Sequence, residues 1–480
     1  MESKTSTSRL SKWKETGLKY WRQTPTVLKA LATLVIALNA GWQLYSHVLS
    51  PGKISSSQRV LSSSSEKSSA TPKIETASKE KMAFPLPGKP SIAVLPFVNM
   101  SEDPKQEFFS DGITEEIITA LSKIPKLFVI ARNSTFTYKG KPVKVKQVSE
   151  ELGVRYVLEG SVRKTGDKVR ITAQLVDAIS GYHIWAERYD RDLKEIFALQ
   201  DEITLKITSA LQMKLTAGEI AATAAKRTTN LDAYLKSLQA YEQFHHMNKQ
   251  GFTMAKHLAK EALALDPEYG FPYTIIAQSY IYELMLGFSE SPQDSMKLAA
   301  DAAQKALVLD DSNPSTHLSL SALYISQRQY DKGIASAQRA LELGPGEARA
   351  HASLGYALTS ACRFSEAVQS LEQAIRLNPF PPGAYFYSLS LSYRFLGQYE
   401  EALVQLKKAH KLEPNHMFTH LGLAHTYTKL GRMEEAHAAA AEVLRINPKF
   451  TLEHWGKALR LKDPSAVDDI IVGLRKAGLK

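Results

Sequence analysis

A single cysteine, Cys362, stands among 480 residues, so no internal disulfide can form and no cysteine-rich metal site can be assembled. At its place in the C-terminal half it reads as a small packing group of a helix rather than a nucleophile. The chain also has no GxxxxGK[ST] loop, no HExxH pair and no GxSxG elbow. P-loop phosphate cradling, zinc-dependent hydrolysis and the hydrolase nucleophile turn therefore lack their minimum parts. Acid is scarce at one end. Residues 1–90 hold 14 Lys and Arg against 5 Glu, a net of +9 out of +11 for the whole chain. The basic excess thus belongs to a tail and linker and not to a nucleic-acid groove. Long apolar runs are equally rare, and residues 30–49, with ALATLVIAL at their heart, form an uncharged stretch of the ~20 residues that a bilayer crossing needs.

What is present in abundance is repetition. The phrases AKEALALDP, AQKALVLDD, AQRALELGP, LEQAIRLNP, LKKAHKLEP and AEVLRINP end at Pro267, Asp311, Pro345, Pro379, Pro414 and Pro448, at intervals of 44, 34, 34, 35 and 34 residues. A fixed period of this length marks a solenoid in which each helical pair buries its apolar face against its neighbours. Ala367, Leu371 and Ala374, like Ala402, Leu406 and Ala409, are spaced by four and three and lie on one helical stripe. Small residues there let helix axes approach, and the proline that follows ends the helix. The preceding helix carries Leu320 and Tyr324, Leu389 and Tyr393, or Leu423 and Tyr427 on its apolar stripe.

These residues resemble a tetratricopeptide repeat array. Ala367, Leu371, Ala374 and Pro379 match the family's small, bulky, small and proline positions, and Leu354–Gly355 its first-helix pair. His317, His351, Phe386 and His420 stand where the family usually has Trp, which assigns the three histidines one shared packing role. The pattern predicts six repeats over residues 230–450, with an insertion near MLGFSESPQD in the second, and capping helices over residues 451–480. The resemblance implies a concave face lined by Arg349, Tyr356, Tyr387, Arg394, Phe395, Phe418, His425 and Lys429. Tyr, Phe and Arg are enriched where proteins bind proteins, so this set is the candidate partner-binding site. It lacks the Lys and Asn pattern of the family's chaperone-tail clamp.

Ahead of residues 30–49 stand Lys4, Arg9, Lys12, Lys14, Lys19, Arg22 and Lys29. The positive-inside rule then predicts a single-pass inner-membrane anchor, with residues 1–29 as a basic cytoplasmic tail and the bulk of the chain periplasmic. A cleaved signal peptide or a juxtamembrane amphipathic helix are the competing readings. Residues 50–89, rich in Ser, Lys and Pro, read as a flexible tether.

Residues 90–215 have a different pattern. SIAVLPFVNM reads as a buried strand, DGITEEIITALSKI as a helix capped at Asp111, LFVIAR as a strand and VKQVSEELGV as a helix ended by Gly153. YVLEGSVRKTGDKVRITAQLVDAISG alternates about Thr165-Gly166-Asp167 as a hairpin, HIWAERYDRDL follows as a strand, and KEIFALQDEITLKITSALQMKL as a long helix. The block resembles the N-terminal domain of TolB-like and FlgO-like proteins. The resemblance rests on IAVLPF at residues 92–97, on Phe109, Ser110, Asp111, Gly112 and Ile113, on YVLEGSV at residues 156–162, and on Trp185, Glu187, Arg188 and Tyr189. The fold class expected is therefore α+β, a small α/β domain joined to an all-α solenoid, with one N-terminal transmembrane helix.

The resemblance implies a non-cytoplasmic α/β domain followed by repeats, an arrangement often attached to a cytoplasmic nucleotide cyclase or winged-helix domain. Neither can be built from the short lead before the span. The expectation is a non-enzymatic, membrane-anchored scaffold or sensor accessory of a Gram-negative-type bacterium, binding a protein or peptide and no nucleic acid, metal or cofactor. Thirteen histidines raise the question of a metal, with His416 and His420 four apart and His410, His425 and His437 nearby, but the repeat register favours packing. The pairs Glu115–Glu116, Glu150–Glu151, Glu400–Glu401 and Glu434–Glu435 sit near helix starts, where negative charge suits the dipole. Two other roles stay open: a signalling component working with a separate nucleotide cyclase, and a cell-envelope assembly factor.

Overall fold

The computed structural model describes residues 75–223 and 228–480. The basic tail, the candidate span and most of the tether lie outside the described residues, among which no helix is long and apolar enough to cross a membrane.

The first layer is a mixed six-stranded sheet. Strands β1 (Ser91–Val94), β2 (Val98–Asn99), β3 (Phe128–Val129), β4 (Tyr156–Thr165), β5 (Lys168–Asp177) and β6 (Tyr182–Asp192) run in the order β3-β1-β4-β5-β6, with β2 beside β4. β1 is parallel to β3 and β4, whereas β4, β5 and β6 form an antiparallel meander. β1 is buried at all four positions, as a strand covered on both faces requires. The apolar run is interrupted around Pro96, which cannot donate to a ladder, so SIAVLPFVNM yields two strands instead of one.

Helices α1 (Glu107–Ser122), α2 (Arg132–Thr135), α3 (Val145–Leu152), α4 (Ile196–Ala210) and α5 (Ala217–Thr223) complete the domain. α1 and α4 cover one face of the sheet through Phe109, Ile113, Ile117, Leu121, Leu199, Ile203 and Ile207, packed on Ile92, Val94, Leu158 and Leu175. The start of α1 corrects the sequence expectation. Asp111 is no cap but lies one turn inside the helix, buried and paired with Lys139 at 2.6 Å. α3 ends, as its sequence directs, at Gly153 with φ +63°.

Six helical pairs follow: α6 (Leu231–Phe244) with α7 (Lys249–Leu265), α8 (Gly270–Met285) with α9 (Pro292–Leu309), α10 (Pro314–Ser326) with α11 (Tyr330–Leu343), α12 (Ala348–Ser360) with α13 (Phe364–Leu377), α14 (Gly383–Phe395) with α15 (Tyr399–Leu412), and α16 (Met417–Lys429) with α17 (Met433–Ile446). The stripe residues are fully packed, with Ala367, Ala374, Ala402 and Leu406 all at 0% exposure. Close approach explains Gly355 and Gly422. A Cβ there would meet Leu371 at 2.5 Å or Leu406 at 2.6 Å. The 44-residue interval arises because α8 and α9 are 16 and 18 residues long, against 13 and 14 in later pairs, and because the link between them spans residues 286–291 against 361–363 in the fourth pair.

The repeated histidines share one bond. His317, His351 and His420 each place Nε2 on the carbonyl six residues earlier, at Asp311 (2.8 Å), Pro345 (3.2 Å) and Pro414 (2.7 Å), which ties the start of one pair to the end of the last. Cys362 is not a helical residue. It sits in the turn between α12 and α13 with φ +61°, in the slot that Arg328, Gly397 and Gly431 fill in other repeats.

Helices α18 (Leu452–Ala458) and α19 (Pro464–Lys476) close the chain. Leu461, Ala466, Ile470, Leu474, Ala477 and Leu479 bury themselves with Leu421, Ala424 and Val443 of the last pair.

Candidate functional site

Two structures close on the first-helix face of the solenoid from opposite ends. At the N-terminal end the α/β domain docks along the repeats. Tyr234 and Leu238 of α6 join its core, and Gly112 of α1 lies so close that a Cβ would come within 2.7 Å of Leu238. Ala348 and Leu377 fill the other face of the sheet beside Phe128, Ile130 and Leu152. The repeat loops bond directly to the domain. Gly346 N–H donates to Ser122 (2.8 Å), Ala131 N–H to Leu377 (2.8 Å), and Ser134 Oγ to Asn378 Oδ1 (2.6 Å) while accepting from Phe380 N–H (2.8 Å). Arg376 donates to the carbonyls of Leu152, Gly153 and Pro85, with its guanidinium over the rings of Phe84 and Phe128.

This docking carries charges into the solenoid. Arg132 lies 2.6 Å from Glu115 and 3.7 Å above the Phe136 ring, and Tyr241 donates to Glu115 at 3.3 Å. Beside them Arg349 donates to Glu347 (3.0 Å) and Ser315 (2.8 Å). Burial pushes the Glu115 carboxyl up against the pull of Arg132, and holds the His245 imidazole well below its usual range. Around them lies an aromatic cluster, with the Tyr241 ring 4.5 Å from His245 and 5.4 Å from Phe271, and Phe244 at 5.4 Å from Tyr282.

At the C-terminal end the chain folds back on its own last repeats. Lys462 N–H donates to Ser360 (2.8 Å), and Arg328 donates to the carbonyls of Leu459 (3.0 Å) and Lys457 (3.2 Å), so the link between α18 and α19 reaches the third and fourth pairs. Asp469 of α19 pairs with Lys429 and lies 3.3 Å from His425, while Gly473 rests on the same imidazole. Desolvation pushes His425 down to about 4, and the approach of His425, ahead of that of Lys429, holds Asp469 far below the usual carboxylate range.

The eight sequence-predicted residues therefore divide. Tyr387, Phe418 and His416 form an aromatic cluster with centroids 5.4 to 6.2 Å apart. Arg394 and His425 are buried, at 4% and 1% exposure, and Lys429 is engaged by Asp469, so α19 already covers this part of the face. Phe395 stacks on Phe364 at 4.6 Å beside a helix turn. Arg349 belongs to the N-terminal group. Tyr356, between the two closures, keeps 44% of its surface accessible, yet desolvation still raises its hydroxyl. Desolvation likewise raises Tyr241, Tyr385 and Tyr387. Sequence reasoning set Glu115 near a helix start, whereas it lies midway along α1 against Arg132, and it missed Arg132, Tyr241, His245, Tyr282, Tyr385 and Asp469. Among the described residues, no three His, Cys, Asp or Glu side chains gather as a cation cage.

The arrangement can hold an extended or helical segment by aromatic packing and hydrogen bonds. Comparison with known proteins supports the architecture. Residues 319–384 and 396–459 match tetratricopeptide repeat families, and residues 88–206 match the second domain of HilA/YgeH-like transcriptional regulators, where the sequence reading expected a TolB-like domain. The C-terminal part is a tetratricopeptide repeat solenoid. A putative adenylate cyclase of Rhizobium meliloti (strain 1021) is 44% identical over 250 residues, which is 52% of this chain and 42% of that protein. The chain thus spans less than half the length of that curated relative. Among solved structures, the type IV pilus biogenesis factor PilW is 17% identical with a TM-score of 0.37, covering 45% of this chain and 94% of its own. YrrB, described as a repeat protein with an unusual peptide-binding site, is 21% identical with a TM-score of 0.30, covering 42% and 98%.

Proposed function

We propose that this chain is a protein-interaction scaffold that receives a peptide or protein segment in the hollow of its repeat solenoid. The carrying observation is Tyr356, 44% exposed on the first helix of the fourth pair, with the Tyr387 and Phe418 rings on the next two first helices. Arg349 stands at one border of this opening, and Tyr387 and Phe418 at the other. The α/β domain supports the hollow or offers a second surface of its own. A periplasmic placement behind a membrane anchor is part of the proposal and is supported by the uncharged residues 30–49 behind seven Lys and Arg.

The test is site-specific photocrosslinking in cells from Tyr356, with Val404, 50% exposed on a second helix, as the control position. A defined partner captured from position 356 and not from 404 supports the reading, and the same partner from both, or none from 356, overturns it.

A second reading, signalling together with a nucleotide cyclase, is favoured by the identity to the putative adenylate cyclase. It predicts that cellular cyclic nucleotide changes on deletion of the chain and is restored by the wild type but not by Tyr356→Ala. An unchanged level on deletion would sink it.

A further inference from the structure

Strand β6 forms one edge of the sheet, and among the described residues no strand pairs with its outer side. Exposed edges are commonly blunted by proline, by bulges or by like charge. β6 contains no proline, and the register shift at Leu175/Val176 falls at its start, which leaves residues 185–192 regular. The charge order of that stretch is unusual: Glu187-Arg188-Tyr189-Asp190-Arg191 reversed gives the opposite sign at every charged place.

The backbone phase can be derived. Thr165 and Lys168 close a two-residue turn, so they and every second pair outward exchange hydrogen bonds between β4 and β5. Val169, Ile171, Ala173 and Leu175 then direct their backbone groups at Arg191, Tyr189, Glu187 and Trp185 of β6. The bond from Leu193 N–H to the Asp167 carbonyl, 2.7 Å, continues the same phase. It follows that Ala186, Arg188, Asp190 and Asp192 turn their N–H and C=O groups outward. An antiparallel partner strand whose two-fold axis passes through Tyr189 meets this phase: Arg188 and Asp190 exchange both backbone bonds across the axis.

We propose that β6 is a self-pairing edge, and that two copies of this chain join through it into one continuous sheet. In this register Arg188 faces the second copy's Asp190 and Glu187 faces its Arg191, twice each, so four opposite-charge pairs form. Two-fold registers centred on Glu187, Arg188, Asp190 or Arg191 each set a charge against itself, and one centred on Ala186 forms no charge pair. Cross-strand neighbours of like charge destabilise and of opposite charge stabilise, so one alignment is selected. The four side chains are available for it. Arg188 and Asp190 are 64% and 48% exposed, and Arg191 and Glu187 are 38% and 34% exposed. Their present partners are surface neighbours: Asp190 for Arg188, Arg170 for Asp190, Glu202 for Arg191, and Lys206 with Tyr189 for Glu187.

The experiment is the mass of the full chain in detergent, by sedimentation velocity across a concentration series, with thermal unfolding as a check that each variant is folded. The wild type is expected to dimerise, and Arg188→Asp or Asp190→Arg alone to weaken the dimer by at least about tenfold, because each turns two attractive pairs into repulsive ones. Mixing the two single variants restores pairing, since the carboxylate introduced at position 188 of one copy then faces the guanidinium introduced at position 190 of the other. The double variant R188D/D190R restores it within one chain. A wild type that stays monomeric, a dimer that ignores both reversals, or folded variants that do not recover on mixing would each overturn the proposal.

Discussion

The two ends of the solenoid meet the same physical problem by different means. A repeat array leaves an unpaired apolar face at each terminus and needs a polar outer cover. On the N-terminal side that cover is a separate α/β domain, which packs on α6 through Tyr234 and Leu238 and extends along the array, attached by backbone bonds from the loops after the third and fourth pairs and by Arg376 on three carbonyls. At the C-terminal end it is α18 and α19, held mainly by apolar burial around Leu474 with Asp469 as its charged contact. Both closures place charge over the inner face, and Tyr356 between them keeps 44% of its surface accessible, which is why the proposed ligand is placed there.

The largest effect is expected where apolar burial does most to hold the closure. Leu474→Ala deletes a side chain at 0% exposure and should cost about 3 kcal/mol by urea unfolding. Hydrogen exchange should rise in α16 through α19 and remain unchanged in α1. Equal loss at both ends would mean that the solenoid opens as one unit and that the contrast between closures is false.

Acid separates the two ends next. The folded His425 imidazole stays neutral down to about 4, whereas the unfolded one takes a proton below about 6.5. In that window the unfolded state binds more protons, so stability falls as pH falls, by on the order of 3 kcal/mol at most. Asp469 is held low, so its contribution is lost only at lower pH still. His425→Gln should flatten the stability profile between those two pH values. An unchanged profile would show that the imidazole is not the group that titrates.

At the α/β domain's seam Arg376→Ala removes its donors from the part-buried Leu152 and Gly153 carbonyls and the exposed Pro85 carbonyl, with the packing over Phe84 and Phe128, for an expected loss of about 2 kcal/mol. Its signature is spatial: proteolysis should become faster between residues 84 and 153 while α19 keeps its protection. A loss of protection at α19 would couple the closures that the contacts keep apart.

The repeat spacing made the solenoid legible in the sequence, because one stripe read in one register serves all later pairs. The closures were not legible. Glu115 meets Tyr241 across 126 positions and Lys429 meets Asp469 across 40, beyond any local period. Asp111 shows the same limit at one residue: an acid before an apolar helical run has the form of a cap, and only its ion pair with Lys139, 28 positions away, explains why it is buried inside the helix. Tyr241 and Tyr282 were missed because the 44-residue interval obscures the register of the first two repeats.

The smallest effect should come from the region between the closures. Cys362 adopts φ +61° in a turn that has glycine at positions 397 and 431. A side chain in the left-handed region costs roughly 1 to 2 kcal/mol, and glycine returns part of that gain as unfolded-chain entropy. Cys362→Gly should therefore raise stability by about 0.5 kcal/mol. Because the turn joins α12 to α13 without touching Asp469 or Glu115, hydrogen exchange at both ends should stay as it was. A destabilised variant would instead mean that the thiol's packing beside the C-terminal core outweighs its backbone strain, which would tie this turn to the C-terminal closure.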